Sequence, residues 1–111
     1  MKEWQKEKSL LIKVIGDYPL TRVIDFFLTF REFDYSLTEI AENAGVGWAT
    51  LHKIFPRLVE VGIVKPTREI GRAKLFKLNT DSPVVQALIK FDETLCEKFS
   101  ERAVVVGPVE A

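Results

Sequence analysis

Leu20, Val23, Ile24, Phe27 and Leu28 recur at i, i+3, i+4, i+7 and i+8, the stripe of a helix packed on a core. The polar run "REFDY" interrupts the pattern, and "SLTE" follows. Ser36 and Glu39 have the spacing of a capping box, in which each side chain bonds the other residue's backbone N–H and opens a helix. That helix is short. Leu37, Ile40, Ala41 and Ala44 form its buried face, and Gly45 supplies the left-handed residue of a tight turn. A second helix, from about Gly47 to Val61, buries Leu51, Ile54, Phe55 and Leu58 and stops at Gly62.

Outside this unit the patterns are simpler. Residues 3–15 predict a helix with Trp4, Leu11, Val14 and Ile15 on its apolar side, although "LLIKVI" also suits a strand. "GDYP" then breaks the pattern. "IVKPTREIGRAKLFKLN" predicts a hairpin turning about Ile70-Gly71-Arg72-Ala73, with Pro66 holding its first strand at an edge or in a short ladder. In "DSP", Ser82 caps a last helix with Pro83 at its first position. It runs to about Arg102, and Val84, Leu88, Phe91, Leu95 and Phe99 form a long apolar stripe.

One residue breaks the rules of its element. Pro56 stands within the second helix of the central pair, where it removes an amide donor and crowds the His52 carbonyl, at a usual cost of about 3 kcal/mol. A bend there would let the first half face a ligand while the second half packs. On the outer face, water can satisfy the freed carbonyl.

Composition narrows the function. With 111 residues the chain suggests one domain, 1–111. One cysteine and one histidine exclude a disulfide framework and a zinc-finger ligand set, so no metal or cofactor is expected. No apolar run approaches a membrane span, and no signal peptide is visible, so a cytoplasmic protein is expected. The formal net charge is zero, but it is unevenly spread: residues 52–78 carry +5. Such a segment can meet phosphates whatever the total. "GVGWAT" has a superficial likeness to a nucleotide loop, but it follows a helix and lacks the third glycine. No nucleophile–base pair or carboxylate cluster suggests an enzyme.

Helix, helix, three-residue turn, helix and two-stranded wing: this order resembles the winged helix-turn-helix transcription regulators. The residues that carry it are Leu37, Ile40-Ala41, Ala44-Gly45-Val46, Thr50-Leu51, Leu58, Val61 and Gly62-Ile63-Val64, continuing into "REIGRAKLFKLN". The implied fold is mainly α with a small β-hairpin wing (α+β), its core at about 20–79, flanked by N- and C-terminal helices. The long helix at about 82–102 is similar to those of dimeric archaeal members, which implies a homodimer through Leu88, Phe91, Leu95 and Phe99. The N-terminal helix would join that interface.

In such proteins the second helix of the pair enters the major groove of double-stranded DNA. With the apolar stripe inward, Trp48, Ala49, Thr50, His52, Lys53, Pro56 and Arg57 face outward. Thr50 can bond a base or phosphate, Ala49 can touch a thymine methyl, and Lys53 and Arg57 can reach guanine or phosphate. Trp48 and His52 would lie beside them. Arg68, Arg72 and Lys74 gather about the wing turn, where they would hold the DNA backbone. A winged helix that binds protein instead is the alternative, but it has no need of a basic wing. Cys96, at helical spacing from Asp92 and Phe99, is expected at the core or an interface rather than in redox chemistry.

Overall fold

The computed structural model describes residues 9–105. Trp4 and the end of the tail lie outside that span. Helices α1 (Leu10–Ile15) and α2 (Pro19–Thr29) lead to a two-residue strand β1 (Tyr35–Ser36). Helices α3 (Leu37–Ala44) and α4 (Trp48–Val61) follow, then strands β2 (Val64–Ile70) and β3 (Ala73–Leu78) and the long helix α5 (Pro83–Val105). The fold is mainly helical with a small antiparallel wing, as the sequence predicts.

The strand β1 was not legible in "REFDY". It pairs with β3 at Tyr35↔Phe76 and Ser36↔Leu75, making the sheet three-stranded in the order β1-β3-β2. Pro66 thus lies on an edge strand, where its missing amide breaks no inner ladder. The β2–β3 turn is the two-residue loop Gly71-Arg72 between the paired Ile70 and Ala73. Gly71 takes φ 63°, and among the described residues no type but glycine has a positive φ, so Arg72 does not, which fits a type II′ turn.

Local signals hold where they are strongest. The Ser36–Glu39 capping box is complete, with the Glu39 N–H donating to Ser36 and the Ser36 N–H donating to Glu39. Gly45 and Gly62 end their helices in the left-handed region. Ser82 accepts from the N–H groups of Val84 and Val85 at the start of α5. Helix α4 runs through Pro56 without interruption, and Pro56 is exposed. Pro19, read as a breaker, instead opens α2 at its first position.

The apolar faces are shifted in three places. In α2, Leu20 is partly exposed, while Phe26 is buried and packs its ring on those of Phe27, Phe30 and Tyr35 at 4.8–5.4 Å. In α1, Leu11 and Ile12 are buried, whereas Val14 and Ile15 face out. In α5, Val85 rather than Val84 is buried, and Leu88, Ile89 and Leu95 lean on the core. The single core joins Val23, Phe26, Phe27 and Leu28 of α2 to Ile40, Ala44, Leu51, Phe55, Leu58, Val64, Leu78 and Val85. Cys96, expected at the core or an interface, is an exposed free thiol on α5.

Two polar side chains of α2 are buried, Thr21 and Asp25, and Asp25 is the ionisable one. Asp25 of α2 is 2% exposed, and its Oδ2 has no hydrogen-bond partner among the described residues. Burial pushes its carboxyl above the ordinary range. The Ser9 hydroxyl opposes that shift, and nearby Asp92 adds to it. A carboxyl raised in the folded state stabilises the fold at acid pH, and that contribution is lost as pH rises through its folded value. At neutral pH Asp25 therefore costs stability. Asp25→Asn should raise stability at neutral pH by about 1–3 kcal/mol, and thermal melts should show the gain shrinking toward pH about 4. A variant that melts earlier at neutral pH would mean that the buried charge is satisfied.

Candidate nucleic-acid interface

Three residues set the angle between α3 and α4. Ala44 is fully buried, Gly45 turns through φ 71°, and Val46 is 8% exposed. The N–H groups of Gly45 and Val46 both donate to the Ala41 carbonyl at 3.0 Å. Arg22 of α2 fastens the turn from outside. Its Nη1 donates to the Gly45 carbonyl at 2.9 Å, while its other nitrogens hold the Asp17 carboxylate at 2.6 and 3.0 Å. No local spacing marks this clamp, because its two ends are 23 residues apart.

Helix α4 presents three strips, because residues four apart share a face. Trp48, His52 and Pro56 lie on the strip toward the wing and line the cleft between α4 and the sheet. Ala49 and Lys53 occupy the outermost strip and are exposed. Thr50 and Arg57 lie on the far flank, with Thr50 half-buried in a small cleft beside Asp17, Pro19 and Arg22. The Trp48 and His52 rings are in contact, tilted by 57° with centroids 4.2 Å apart. Phe55, on the inner face, meets Phe76 of β3 edge-on at 4.8 Å, so helix and wing share one packed seam.

The wing has its own anchor. Between Pro66 and Arg68 the β2–β3 register shifts. Consecutive side chains on a regular strand point to opposite faces, but here Thr67 and Arg68 both reach Asp34, ahead of β1. The Thr67 hydroxyl donates to its carboxylate at 2.6 Å, and Arg68 donates twice, at 3.0 and 3.2 Å. The bonds from Arg68 and then Thr67 pull the Asp34 carboxyl down to about 2. Arg68, expected on the DNA backbone, therefore spends its guanidinium fork inside the chain. It belongs to the wing's support.

The other basic residues of the segment differ. Arg72 is exposed at the wing tip, and Lys74 is exposed on β3. With Lys53 and Arg57 they make four cations that have no ion pair among the described residues. The described cations elsewhere are more often engaged: Arg22 with Asp17, Arg31 with Glu93, Lys65 with Asp81. The expected dimer residues divide. Phe91 and Phe99 are each 40% exposed, while Leu88 and Leu95 are half-buried against the core. Among the described residues no His, Cys, Asp or Glu cluster could hold a metal, and no helix is long and apolar enough to cross a membrane.

No protein-family model matches the chain, and comparison with curated protein sequences finds no match. Solved structures do share its fold. A mutant MepR of S. aureus bound to an oligodeoxyribonucleotide is similar with a TM-score of 0.62 and 12% identity, over 96% of this chain and 75% of that one. NadR in complex with 4-hydroxyphenylacetate gives 0.60 and 17%, over 87% and 68%. The homodimeric winged helix-turn-helix DNA-binding domain of Mb0332 from Mycobacterium bovis gives 0.57 and 15%, over 91% and 85%. At these identities the likeness shows the winged-helix fold, and none of the three bears on an archaeal kinship.

The anchor at Asp34 has a pH signature. A carboxyl lowered to about 2 supports the fold fully above the ordinary carboxylate value and loses that support as pH falls through its folded value. Asp34→Asn should therefore lower amide-exchange protection along Val64–Ile70 severalfold at mild pH. Wild type should converge on the variant as pH drops from about 4 to about 2. Equal protection at mild pH would show that the wing is held without this contact.

Proposed function

We propose that this chain is a double-stranded-DNA-binding transcription regulator, working by binding rather than catalysis, with α4 in the major groove and the wing on the backbone. One observation carries the reading. Lys53, Arg57, Arg72 and Lys74 are exposed and have no ion pair among the described residues, on the two elements that a winged helix turns toward a duplex. Ala49 and Lys53, on the outermost strip, are placed to meet base edges. Trp48 and His52 face the wing side, and Thr50 and Arg57 face the opposite strand's backbone. Arg72 and Lys74 are the wing's phosphate contacts, with Arg68 holding the wing from behind. Such a protein works where the DNA is, in the cytoplasm.

The fold likeness to structures solved with nucleic acid supports this reading without specifying a target. A protein-binding winged helix is the second reading. It is favoured by the apolar half of the cleft, where Pro56, Val59, Pro66 and Phe76 come together. The charge of the cleft's other half counts against it.

A salt series separates the two. Affinity for a duplex selected from a random pool should fall with log slope of about −0.9 per phosphate neutralised. Arg72→Ala should weaken all sequences alike and make the slope shallower by about 1 per chain, whereas Lys53→Ala should cost about 1–3 kcal/mol of discrimination between sites. A flat slope would favour the protein-binding reading.

The regulator is a homodimer in this proposal, joined by α5, so that two copies of α4 address half-sites about one DNA turn apart. Phe91 and Phe99 are the residues to test, because Leu88 and Leu95 also serve the chain's own core. Removing a Phe-sized side chain from water contributes about 1.5–3 kcal/mol, and symmetry doubles each contact. Phe91→Glu combined with Phe99→Glu should turn a sedimenting dimer into a folded monomer and cost DNA affinity at least about tenfold, as the second reader is no longer tethered. A wild type that sediments as a monomer would remove the dimer from the proposal.

A further inference from the structure

The cleft between α4 and the wing holds a histidine whose chemistry is already half decided. His52 Nδ1 lies 3.2 Å from the carbonyl oxygen of Trp48, one turn earlier on α4. A carbonyl only accepts, so this contact is a hydrogen bond only when Nδ1 carries the hydrogen. The neutral ring then has its lone pair on Nε2, and no described residue bonds that atom. Neutral His52 therefore offers an acceptor to the cleft, and protonated His52 offers a donor.

The cleft, of about 380 Å³, gathers groups that can donate to an anion. Arg72 and Lys74 enter it from the wing together with Glu69. α3 contributes the hydroxyls of Ser36 and Thr38, while its Glu39 carboxylate is occupied on the Ser36 N–H. On α4 itself Lys53 adjoins His52, and Glu60 lies two turns further along. Around the ring the cations Lys53, Arg72 and Lys74 stand against the carboxylates Glu39, Glu60 and Glu69. A phosphate in the cleft adds negative charge beside the ring, and an anion at hydrogen-bond distance favours the charged ring. In this tautomer the acceptor nitrogen would repel a phosphate, whereas the protonated ring keeps its bond to the Trp48 carbonyl and donates to the phosphate as well.

A duplex would bring a phosphate to this place. The walls of the major groove are its two phosphate strands. With α4 inside the groove and the wing alongside, the strand between them runs over the cleft. We propose that this cleft is a phosphate seat in which His52 binds a proton as the duplex docks, coupling DNA affinity to pH. The proposal rests on the DNA-binding reading above. It distinguishes His52 from Lys53, which reads bases, and from Arg72 and Lys74, which are charged at every relevant pH.

The test is affinity for mixed-sequence duplex DNA at constant ionic strength from about pH 6 to 8, the range in which histidine changes charge. Wild-type affinity should fall as pH rises, by up to about tenfold per unit for each chain. Calorimetry in buffers of different ionisation enthalpy should show proton uptake on binding. His52→Gln, at an exposed position, keeps a hydrogen-bonding side chain but cannot titrate. It should bind with nearly flat pH dependence and without proton uptake. A wild type that binds equally well across the range, or a His52→Gln protein that keeps the slope, overturns the seat and leaves DNA binding standing. So does a pH change that alters which sequences are preferred while leaving overall affinity constant, since His52 would then read a base. Absence of duplex binding at every pH and at low salt overturns both proposals.

Discussion

The close approach of α3 to α4 at Ala44 is the constraint on which the rest of this molecule hangs. Ala44 has no exposed surface and sits in the same core as Val23, Ile40 and Leu51, each equally inaccessible. A larger side chain there would have to part the helices, and overpacking typically costs about 1–3 kcal/mol. The short turn cannot absorb such a change. Gly45 is already in a conformation that L-residues avoid, and its carbonyl is held by Arg22. The direction of α4, and with it every outward side chain, follows from a methyl group and a glycine.

The wing depends on α4 in turn. A two-stranded hairpin is marginal by itself. This one gains a third strand from β1, an aromatic seam through Phe55 and Phe76, and the polar tie from Asp34 to Thr67 and Arg68. The tie spans from the segment before β1 to β2, on opposite sides of β3. The sheet is therefore gripped at both edges, and helix and wing form one surface with a cleft of defined chemistry between them.

What was legible in the sequence was whatever depends on near neighbours. Ser36 with Glu39, Gly45, Gly62, Ser82 with Pro83 and the turn at Gly71 all act within four residues, and each took the expected structure. The faces of the helices were read less well. Period alone cannot say which of two adjacent apolar residues turns inward, and that ambiguity misplaced Val84 against Val85 and missed Phe26. Long-range polar contacts were not legible at all. Arg22 to Gly45 and Arg68 to Asp34 join residues 23 and 34 apart, and nothing in their local spacing marks them. Arg68, expected on the DNA backbone, is such a case, since its tie to Asp34 leaves no mark in the residues around it.

That sorting of charges also explains why a net charge of zero is a poor guide here. Eight of the arginines and lysines divide by whether they have an ion-pair partner among the described residues. Arg22, Arg31, Lys65 and Arg68 are matched to carboxylates, so each pair is nearly silent to an approaching anion. Lys53, Arg57, Arg72 and Lys74 are unmatched and lie on neighbouring elements. At physiological salt an exposed charge is felt over only about 8 Å. A phosphate at the cleft would thus respond to these cations and to His52, with little regard for carboxylates farther off. The α5 carboxylates are committed differently: Glu93 reaches Arg31 at 3.9 Å, and burial raises the Asp92 carboxyl. Neutrality of the whole is compatible with a group of cations on α4 and the wing that have no ion pair among the described residues, because Asp17, Asp34, Asp81 and Glu93 are paired with other cations, although Glu69 lines the cleft itself.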